Sequence, residues 1–453
     1  MAGGTFSAYN KVRPGAYINV KSAKPAITDN NRGTVLLLNG VNYGWGNNGV
    51  ITLTSDSDFK ALIGVSVHDA SAITISEALK NATYVKLVNV NTGTQASAND
   101  SSLPFNIKAR YAGAKGNDIT IDLVQSITNQ SSVIVKTIFG TEVVDTQIIP
   151  VDHAEKIQDN DYVTFGVDTS KAQSISISGE KSVRLSGGNS TTATSDAQFN
   201  ALSQALQTEQ FQVATTAGFD EGDKIHGLLA QLVEDLRNNQ GYKVTAVVPY
   251  SETEYDNEAV SVIENGVIYD DGTVVTPTIA SAWFAGKSAS VPFNKSLTYS
   301  IYEDVKAPYP ALSQEQIIKS LNKGHIVFTA RRDDSVVIEQ DINTLTTFTD
   351  TKSSQFHKNR ELRALDEIAN HIENLFETGY IGQVTNNDDG RNLLKSSVTA
   401  YFKQLVTDGI IGDFDQADLT IAKGNADDTV VMTYSVTPVD SMEKLYNTIT
   451  VTR

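Results

Sequence analysis

The sequence predicts a multidomain protein of α/β and β structure. In it, an α/β domain is interrupted by an inserted β-sandwich and followed by a C-terminal α+β domain. Three observations lead to this fold class. The chain has 453 residues, which is too long for one ordinary core. Alternating strand and helix patterns stop near residue 90 and resume near residue 194, with only strand patterns between them. Hydrophobic residues make up 40% of the chain, which is enough for packed cores.

Residues 1–21 are predicted to form an N-terminal arm. This segment has few apolar side chains, and Pro14 biases the backbone before it toward extended conformations. Tyr17, Ile18 and Val20 follow as a short extended stretch. A frayed terminus that pairs with its own domain is the alternative.

An α/β domain is predicted to begin after the arm. Ser55 is the expected helix N-cap, and Asp58 completes a Ser-x-x-Asp capping pattern. The elements expected here are a buried strand over 34–38, helices over 55–62 and 73–80, and a strand over 82–90.

A β-sandwich is predicted over residues 101–193, after a polar linker at 92–101. Helical patterns vanish in this stretch, and short segments of β-forming residues are separated by turn residues. The expected strands include 105–109, 119–123, 132–135 and 175–177.

The α/β alternation then resumes, so residues 22–100 and 194–344 are predicted to form one discontinuous domain. Its second half should contain helices over 194–207, 224–239, 276–286 and 314–321 and strands over 211–215, 244–248 and 325–328.

Residues 345–453 are predicted to form a C-terminal domain that ends in a strand-like arm. A long amphipathic helix is expected over 358–377 and a second over 393–408, with strands at 419–421 and 429–436. In the last segment Leu445, Asn447, Ile449 and Val451 alternate with Tyr446 and its polar neighbours, which suits a strand with one buried face. An exposed strand at a chain end is either an assembly feature or an aggregation hazard.

Composition narrows the functional classes. The formal charge of −17 disfavours binding to nucleic acid, because an acidic surface repels phosphates. No apolar run approaches the roughly 20 residues that cross a bilayer, and no secretory signal is visible, so neither a membrane partner nor export is expected. The absence of cysteine fits synthesis in a reducing cytoplasm.

No motif predicts a cofactor. The string Gly44-Trp-Gly-Asn-Asn-Gly49 matches G-x-G-x-x-G, but a β-forming segment follows it where a dinucleotide site needs a helix. It is therefore interpreted as a turn. Gly286-Lys287-Ser288 lacks the earlier glycine of a phosphate-binding loop. We expect no metal site, because no histidine or carboxylate spacing is convincing.

No catalytic residues are predicted either. The G-x-S-x-G string is absent, and the six histidines lie outside any local signature, although a triad assembled in space stays possible from sequence alone. Near the start of the long helix, Lys352, Lys358, Arg360 and Arg363 form a cationic set in an acidic chain. A solvated face and a docking surface for an acidic partner are both open interpretations.

The sequence resembles the tail sheath family of contractile bacteriophages and phage-like particles over nearly its whole length. The similarity rests on motifs in the family's order and spacing: Arg13-Pro-Gly-Ala-Tyr17, residues 53–64, Tyr111-Ala-Gly-Ala-Lys-Gly-Asn-Asp-Ile119, residues 356–366, Tyr380-Ile-Gly382, Asn386-Asn387, Gly390-Arg391 and Val439-Asp-Ser-Met-Glu-Lys-Leu-Tyr446.

This resemblance implies a structural protein rather than an enzyme, with no cofactor. The implied role is polymerisation around an inner tail tube, followed by contraction that drives the tube through a cell envelope. The α/β domain would have a subtilisin-like fold, and the C-terminal domain would face the tube. The implied partners are neighbouring copies, the tube protein, and baseplate and tail terminator proteins, in a virion tail assembled in the bacterial cytoplasm.

Strand addition between neighbours is the implied linkage, through Tyr17, Ile18 and Val20 at one end and Leu445, Tyr446, Ile449 and Val451 at the other. Lys358, Arg360 and Arg363 become candidates for contact with the tube, and reversing their charge is expected to leave folding intact. The alternatives are a hydrolase of subtilisin-like fold and a β-rich surface-binding protein.

Overall fold

The computed structural model describes residues 32–127, 129–167, 174–175, 177 and 179–452, and the backbone of residues 3–4 and 16–17. Residues 1–31 form one unit and residues 32–453 another. In the first unit, two short strands pair in parallel. The side chains of Tyr17, Ile18 and Val20 lie outside the described residues.

The secondary structure is given in chain order. The strands are β1 Gly3–Gly4, β2 Ala16–Tyr17, β3 Thr34–Leu37, β4 Gly49–Leu53, β5 Tyr84–Asn89, β6 Gln95–Ala98, β7 Phe105–Ala112, β8 Ile119–Gln125, β9 Ser132–Phe139, β10 Glu142–Pro150, β11 Val163–Val167, β12 Glu180–Arg184, β13 Val213–Thr215, β14 Thr245–Pro249, β15 Val260–Ile263, β16 Gly266–Tyr269, β17 Val274–Val275, β18 Val305–Tyr309, β19 His325–Ile326, β20 Phe328–Ala330, β21 Val336–Ile338, β22 Thr420–Lys423 and β23 Val430–Thr433. The α-helices are α1 Phe59–Ile63, α2 Ile73–Leu79, α3 Ser195–Thr208, α4 Lys224–Asn239, α5 Pro277–Ser290, α6 Gln314–Asn322, α7 Asn359–Gly379 and α8 Asp388–Thr407.

A seven-stranded sheet of order β19-β15-β14-β13-β3-β5-β4 organises the α/β part. Its neighbours pair in parallel except for the edge strand β4, which runs antiparallel to β5. Alternate residues of each strand enter opposite cores, because successive side chains of a strand point to opposite faces. Val35 and Leu37 pack with α2 and α5 on one face, and Leu36 packs with α3 and α4 on the other. Helices therefore cover both faces, as parallel sheets require.

A sandwich of two antiparallel sheets lies between β5 and α3 in the chain. One sheet has the order β10-β9-β8-β12 and the other β11-β7-β6. The strict alternation of buried and exposed residues along β7 places Phe105, Ile107 and Ala109 in the shared core. This pattern is the one that the sequence predicted.

The prediction of a linker at 92–101 was partly wrong. Within this segment β6 pairs with β7, although the residues of β6 are weak β-formers.

Trp45 fastens the sandwich to the α/β part. Its ring is fully buried in the sandwich core, with its centroid 5.2 Å from that of Tyr111 and 5.6 Å from that of Phe139. Its indole N–H donates to the carbonyl oxygen of Ala61 at 2.9 Å, on α1. One side chain thus belongs to the core of one part and is hydrogen-bonded to a helix of the other.

The glycines around Trp45 allow this close approach. A Cβ on Gly113 would lie 2.0 Å from the Gly44 carbonyl oxygen, and its φ is +122°. The string Gly44-Trp-Gly-Asn-Asn-Gly49 is the predicted turn, followed by β4 rather than a helix.

The predicted N-cap of α1, Ser55, was wrong. Asp58 caps the helix instead, because its side chain accepts from Ala61 N at 3.0 Å.

The C-terminal part consists of α7, α8 and the hairpin β22–β23, packed around a core that includes Ile368, Val398 and Phe402. Two ion pairs join α7 to the α/β part. Arg237 of α4 makes a bidentate pair with Asp366, with N–O distances of 2.7 and 2.8 Å. Arg363 donates to Asp341 Oδ2 at 2.7 Å, and both side chains are buried. No helix among the described residues has the length and apolarity needed to span a bilayer.

Replacing Trp45 with alanine should destabilise the chain by about 3–5 kcal/mol, the usual cost of deleting a buried large aromatic ring. Denaturant unfolding measures the loss. Phe348→Ala is the control, because that ring is half-exposed, and it should cost under about 1 kcal/mol. Equal effects of the two substitutions would contradict the fastening role.

Arg363→Met should destabilise the chain by about 3–5 kcal/mol, because it leaves the Asp341 carboxylate buried without its cation. Lys60→Met breaks the exposed Lys60–Glu142 pair and should cost under about 1 kcal/mol. Thermal and denaturant unfolding of both variants measure the difference. In the double variant Asp341→Asn/Arg363→Met, part of the loss should be recovered, and additive losses would disprove a direct pair.

Candidate assembly interface

The C-terminal arm, residues 444–452, is exposed and has no regular secondary structure. It forms no strand pairing within the described chain. Leu445, Tyr446, Ile449 and Val451 have 80–91% of their surface exposed. Solvated apolar side chains are unfavourable when they cluster, and an extended backbone leaves its N–H and C=O groups open to a partner strand. The arm therefore has the properties of a strand that is completed by another molecule.

The root of this arm is held by Glu443. Its carboxylate accepts from the Thr298 hydroxyl at 2.8 Å and from the Gln340 amide at 3.1 Å. The Lys358 ammonium contacts the same carboxylate and lies 3.6 Å from Asp440. Burial alone would raise the pKa of Glu443, but the hydrogen bonds from Lys358 and Thr298 hold it below its usual value. We call this group of residues the Glu443 clasp.

Before the clasp, the chain is tied to the end of α8 by backbone contacts. Gly412 N donates to Thr437 O at 2.8 Å, and Val439 N donates to Ile410 O at 3.1 Å. No hydrogen bond within the described chain ties residues 444–452 to the rest. The arm therefore leaves the body just after residue 443.

The continuously described part of the chain begins at Arg32, which lies near Arg363 and Glu367 of α7. Its guanidinium carbon stacks 3.8 Å from the centre of the Phe293 ring, and it donates to Ser288 O at 3.3 Å. Burial, together with repulsion from Arg363, lowers the pKa of Arg32 to about 10, against the attraction of Glu367. The root of the N-terminal segment is thus a half-buried cation.

The buried Asp341 connects the surroundings of the two roots. Its Oδ2 accepts from Leu297 N at 2.9 Å and from Arg363, and its backbone N–H donates to the Thr298 hydroxyl at 2.9 Å. That hydroxyl is the one that donates to Glu443. A continuous network therefore runs from Arg363, the neighbour of Arg32, to the Glu443 clasp.

The hairpin β22–β23 is an open strand acceptor. It is a sheet of two strands only, so each strand has one unpaired edge within the described chain. Beside it lies a cavity of about 620 Å³, with apolar and acidic lining residues. Among them are Phe376, Tyr380, Ile381, Leu394, Val430 and Asp427. Of the lining residues, Ile381 exposes about half of its surface, and Leu393 and Val431, which do not line the cavity, expose a similar fraction.

The three cations predicted to contact a tube are largely internal. Arg363 is buried with Asp341, and Lys358 belongs to the Glu443 clasp. Arg360 is buried and has no hydrogen-bond or ion-pair partner among the described residues, and its Nε is shielded from solvent. The expectation that charge reversal would leave folding intact is therefore wrong for Arg363, because the reversal would place two carboxylates together in the interior.

The geometry does not support a hydrolase. His226 is buried, with one ring nitrogen 2.7 Å from the Thr216 hydroxyl and the other 2.9 Å from the Asp220 carbonyl, so no carboxylate orients it. His325 does pair with a carboxylate, Glu264, at 2.6 Å, but no serine hydroxyl among the described residues is hydrogen-bonded to its ring. A second cavity, of about 330 Å³ at the start of α4, includes Ser251 but no histidine. Within the described residues, no group of three histidine, aspartate or glutamate side chains could hold a metal.

Sequence reasoning missed Glu443 and Asp341 as functional positions. Both belong to segments whose partners are distant in sequence, so no local spacing marks them. A signal was present for Glu443 alone, because it lies in the motif Val439–Tyr446 and Lys358 lies in another of the quoted motifs. The structure shows that these two motifs contact each other.

Comparisons with known proteins assign the parts of the chain. Residues 91–192 match the phage tail sheath protein beta-sandwich domain, residues 192–344 its central domain and residues 351–452 the phage tail sheath C-terminal domain. The phage-like element PBSX protein XkdK of Bacillus subtilis is 34% identical over 98% of this chain and 99% of its own length.

Solved structures agree. The sheath tail protein of Desulfitobacterium hafniense is 33% identical, with a TM-score of 0.75 over 96% of this chain and 99% of that one. The sheath tail protein of Listeria innocua is 29% identical, with a TM-score of 0.80 over 93% and 95%. The contracted helical sheath of the anti-feeding prophage shares the fold alone, at 10% identity and a TM-score of 0.57 over 96% and 98%. The chain belongs to the phage tail sheath protein family, whose members are structural proteins of contractile tails rather than enzymes.

Proposed function

We propose that this chain polymerises around an inner tail tube and that the resulting sheath contracts to drive the tube through a cell envelope. Its family membership supports a structural role in the tail of a virion or phage-like particle. The observation that carries the polymerisation step is the unpaired C-terminal arm, whose apolar side chains are exposed in the single chain.

Strand addition to the hairpin β22–β23 of a neighbouring copy is the proposed linkage. A two-stranded sheet is marginal by itself, and a third strand would satisfy one of its open edges. Leu445, Ile449 and Val451 share one face of an extended chain, so they could cover the half-exposed Val431 on one face of the hairpin. Covering both apolar surfaces at once would remove them from water and drive the association.

The N-terminal arm is proposed to act in the same way through Tyr17, Ile18 and Val20. Residues 1–31 contain four lysines and arginines against one aspartate, in a chain whose formal charge is −17. The hairpin and its cavity are flanked by exposed Asp388, Asp427 and Asp428. A basic arm from one copy could therefore be attracted to this acidic region of another, and such an attraction weakens as salt is added.

We propose four functional parts: an arm at 1–21, an α/β domain of subtilisin-like fold at 22–90 and 194–344, an outward β-sandwich at 91–193 that includes β6, and a tube-facing domain at 345–453. The fastening of the sandwich by Trp45 and the ion pairs of α7 support movement of the three folded parts as one body. The arms would then be the flexible links. The stored energy of a metastable extended array would drive contraction, so no nucleotide is required.

Contact with the tube through Lys358, Arg360 and Arg363 stays a prediction. Of the three, Arg360 is the best candidate, because its guanidinium has no partner among the described residues. A carboxylate from outside the chain would compensate that buried charge. Baseplate and tail terminator proteins are the proposed partners at the two ends of the sheath, and assembly is proposed to occur in the bacterial cytoplasm.

Placing aspartates on one face of the arm tests the linkage. Ile449→Asp/Val451→Asp should abolish tubes or ring stacks in negative-stain electron microscopy, with or without added tube protein, because charged side chains would enter the buried face. The monomer should keep its wild-type unfolding midpoint, since both residues are exposed in it.

Thr448→Asp/Thr450→Asp is the matched control. It adds the same charge to the opposite face of the same strand, where it should leave most assembly intact. If both double variants assemble like the wild type, arm-based linkage is wrong. If both fail equally, added charge rather than a buried apolar face explains the loss.

A further inference from the structure

We propose that the Glu443 clasp is a releasable latch, which opens to lengthen the C-terminal arm when a second copy of the chain pulls on it. The proposal extends the arm-based linkage and rests on it. Its new content is that the length of the arm is adjustable and that named residues of the body control it.

The first step of the argument is that the clasp is the last attachment before the free arm. Besides the neighbouring Ser441 hydroxyl, Glu443 has three partners in the body of the chain, at positions 298, 340 and 358. The next attachment toward the body is the backbone bond from Val439 to Ile410. Opening the clasp therefore frees residues 440–443 together, and four extended residues add roughly 13 Å to the arm.

The second step is that the clasp is polar, although the side chains of Lys358 and Glu443 are only 19% and 10% exposed. Its contacts are hydrogen bonds and ion pairs, and the only buried side chain between residues 436 and 452 is Pro438. Such a contact opens at a small cost compared with the apolar cores, so pulling would open it while the body stays folded. A strap of this kind lets two bodies move apart while their strand pairing is kept.

The third step is that a second buried carboxyl lies under the latch. Glu361, in the first turn of α7, is buried, and its Oε2 has no hydrogen-bond partner among the described residues. The charged groups that face it are Asp440 of the arm root and Lys358 and Arg360 of its own segment. Burial and then Asp440 raise the pKa of Glu361 to about 7, against the two cations.

The sign of the pH dependence follows. A carboxyl whose pKa is raised in the closed state stabilises that state while it is protonated, and this stabilisation is lost as pH rises through about 7. Opening moves Asp440 away and lets water reach Glu361, so the ionised form favours the open state. Above the usual glutamate range, the latch should therefore be tighter at pH 6 than at pH 8.

Hydrogen exchange on the isolated full-length chain tests the latch without any assembly. Glu443→Gln keeps the size of the side chain but removes its charge. It should lower the protection of the Val439 amide, which donates to Ile410 O beside the clasp, about tenfold, with α7 unchanged. Glu377→Gln is the matched control, because Glu377 lies exposed on α7 with no partner among the described residues. Protection equal to wild type in Glu443→Gln would overturn the proposal.

The variant Glu361→Gln tests the pH dependence of the latch. Protection of the Val439 amide, corrected for intrinsic exchange, should fall between pH 6 and pH 8 in the wild type. In Glu361→Gln it should not change over that range. A fall of the same size in both proteins would show that Glu361 does not control the latch.

Locking the latch tests its role in the particle. The chain contains no cysteine, so Gln340→Cys/Glu443→Cys can be joined by a short cleavable thiol-reactive linker. Locked particles should fail to reach the contracted length until the linker is cleaved, and full contraction while locked would contradict the proposal. If Gln340→Cys/Glu443→Cys fails to assemble before the linker is added, the result counts against arm-based linkage and not against the latch. The hydrogen-exchange experiment then still decides whether the latch exists.

Discussion

The buried carboxylate of Asp341 is the interaction on which the organisation of this subunit depends. It pairs with Arg363 at the start of the long helix, accepts from the backbone at Leu297, and reaches Glu443 through Thr298. A buried charge is tolerated only when it is paired and hydrogen-bonded, and here each of those bonds joins a different part of the chain. The same buried carboxylate therefore contacts the interior of the subunit and, through Thr298, the root of the C-terminal arm.

The same subunit leaves other groups unsatisfied. The arm exposes four large apolar side chains, and a two-stranded hairpin has open edges. A single copy cannot remedy this, because its own arm leaves the body and does not pair with its own hairpin. In a sheath protein, the arm of one copy could pair with the open hairpin edge of another. Polymerisation would then bury the exposed apolar side chains and satisfy the open edge together. In the proposed assembly, attraction between the acidic body and the basic N-terminal segment would add to this without further apolar surface.

Periodicity predicted most of the fold. The amphipathic patterns of α4 and α7 and the alternation along β7 are local properties, and the structure confirms them. Weakly β-forming β6 was missed, because its partner strand decides its conformation. The cations Arg360 and Arg363 were expected at the surface, since charge predicts exposure, but both are buried. Arg363 pairs with Asp341, and no spacing pattern indicates a contact between residues that lie this far apart in the sequence. The arm residues were named from their alternation and from the family resemblance, while the Glu443 clasp needed coordinates.

Disulfide formation between copies tests the central claim most directly. Ile449→Cys can be combined with Val431→Cys on β23 or with Ala422→Cys on β22, two positions that face each other across the hairpin. In oxidised particles, the account predicts a ladder of covalent multimers for one of the two pairs and none for the single variants. The pair that reacts identifies the edge that receives the arm. Assembled particles in which neither pair forms multimers would contradict strand addition between subunits.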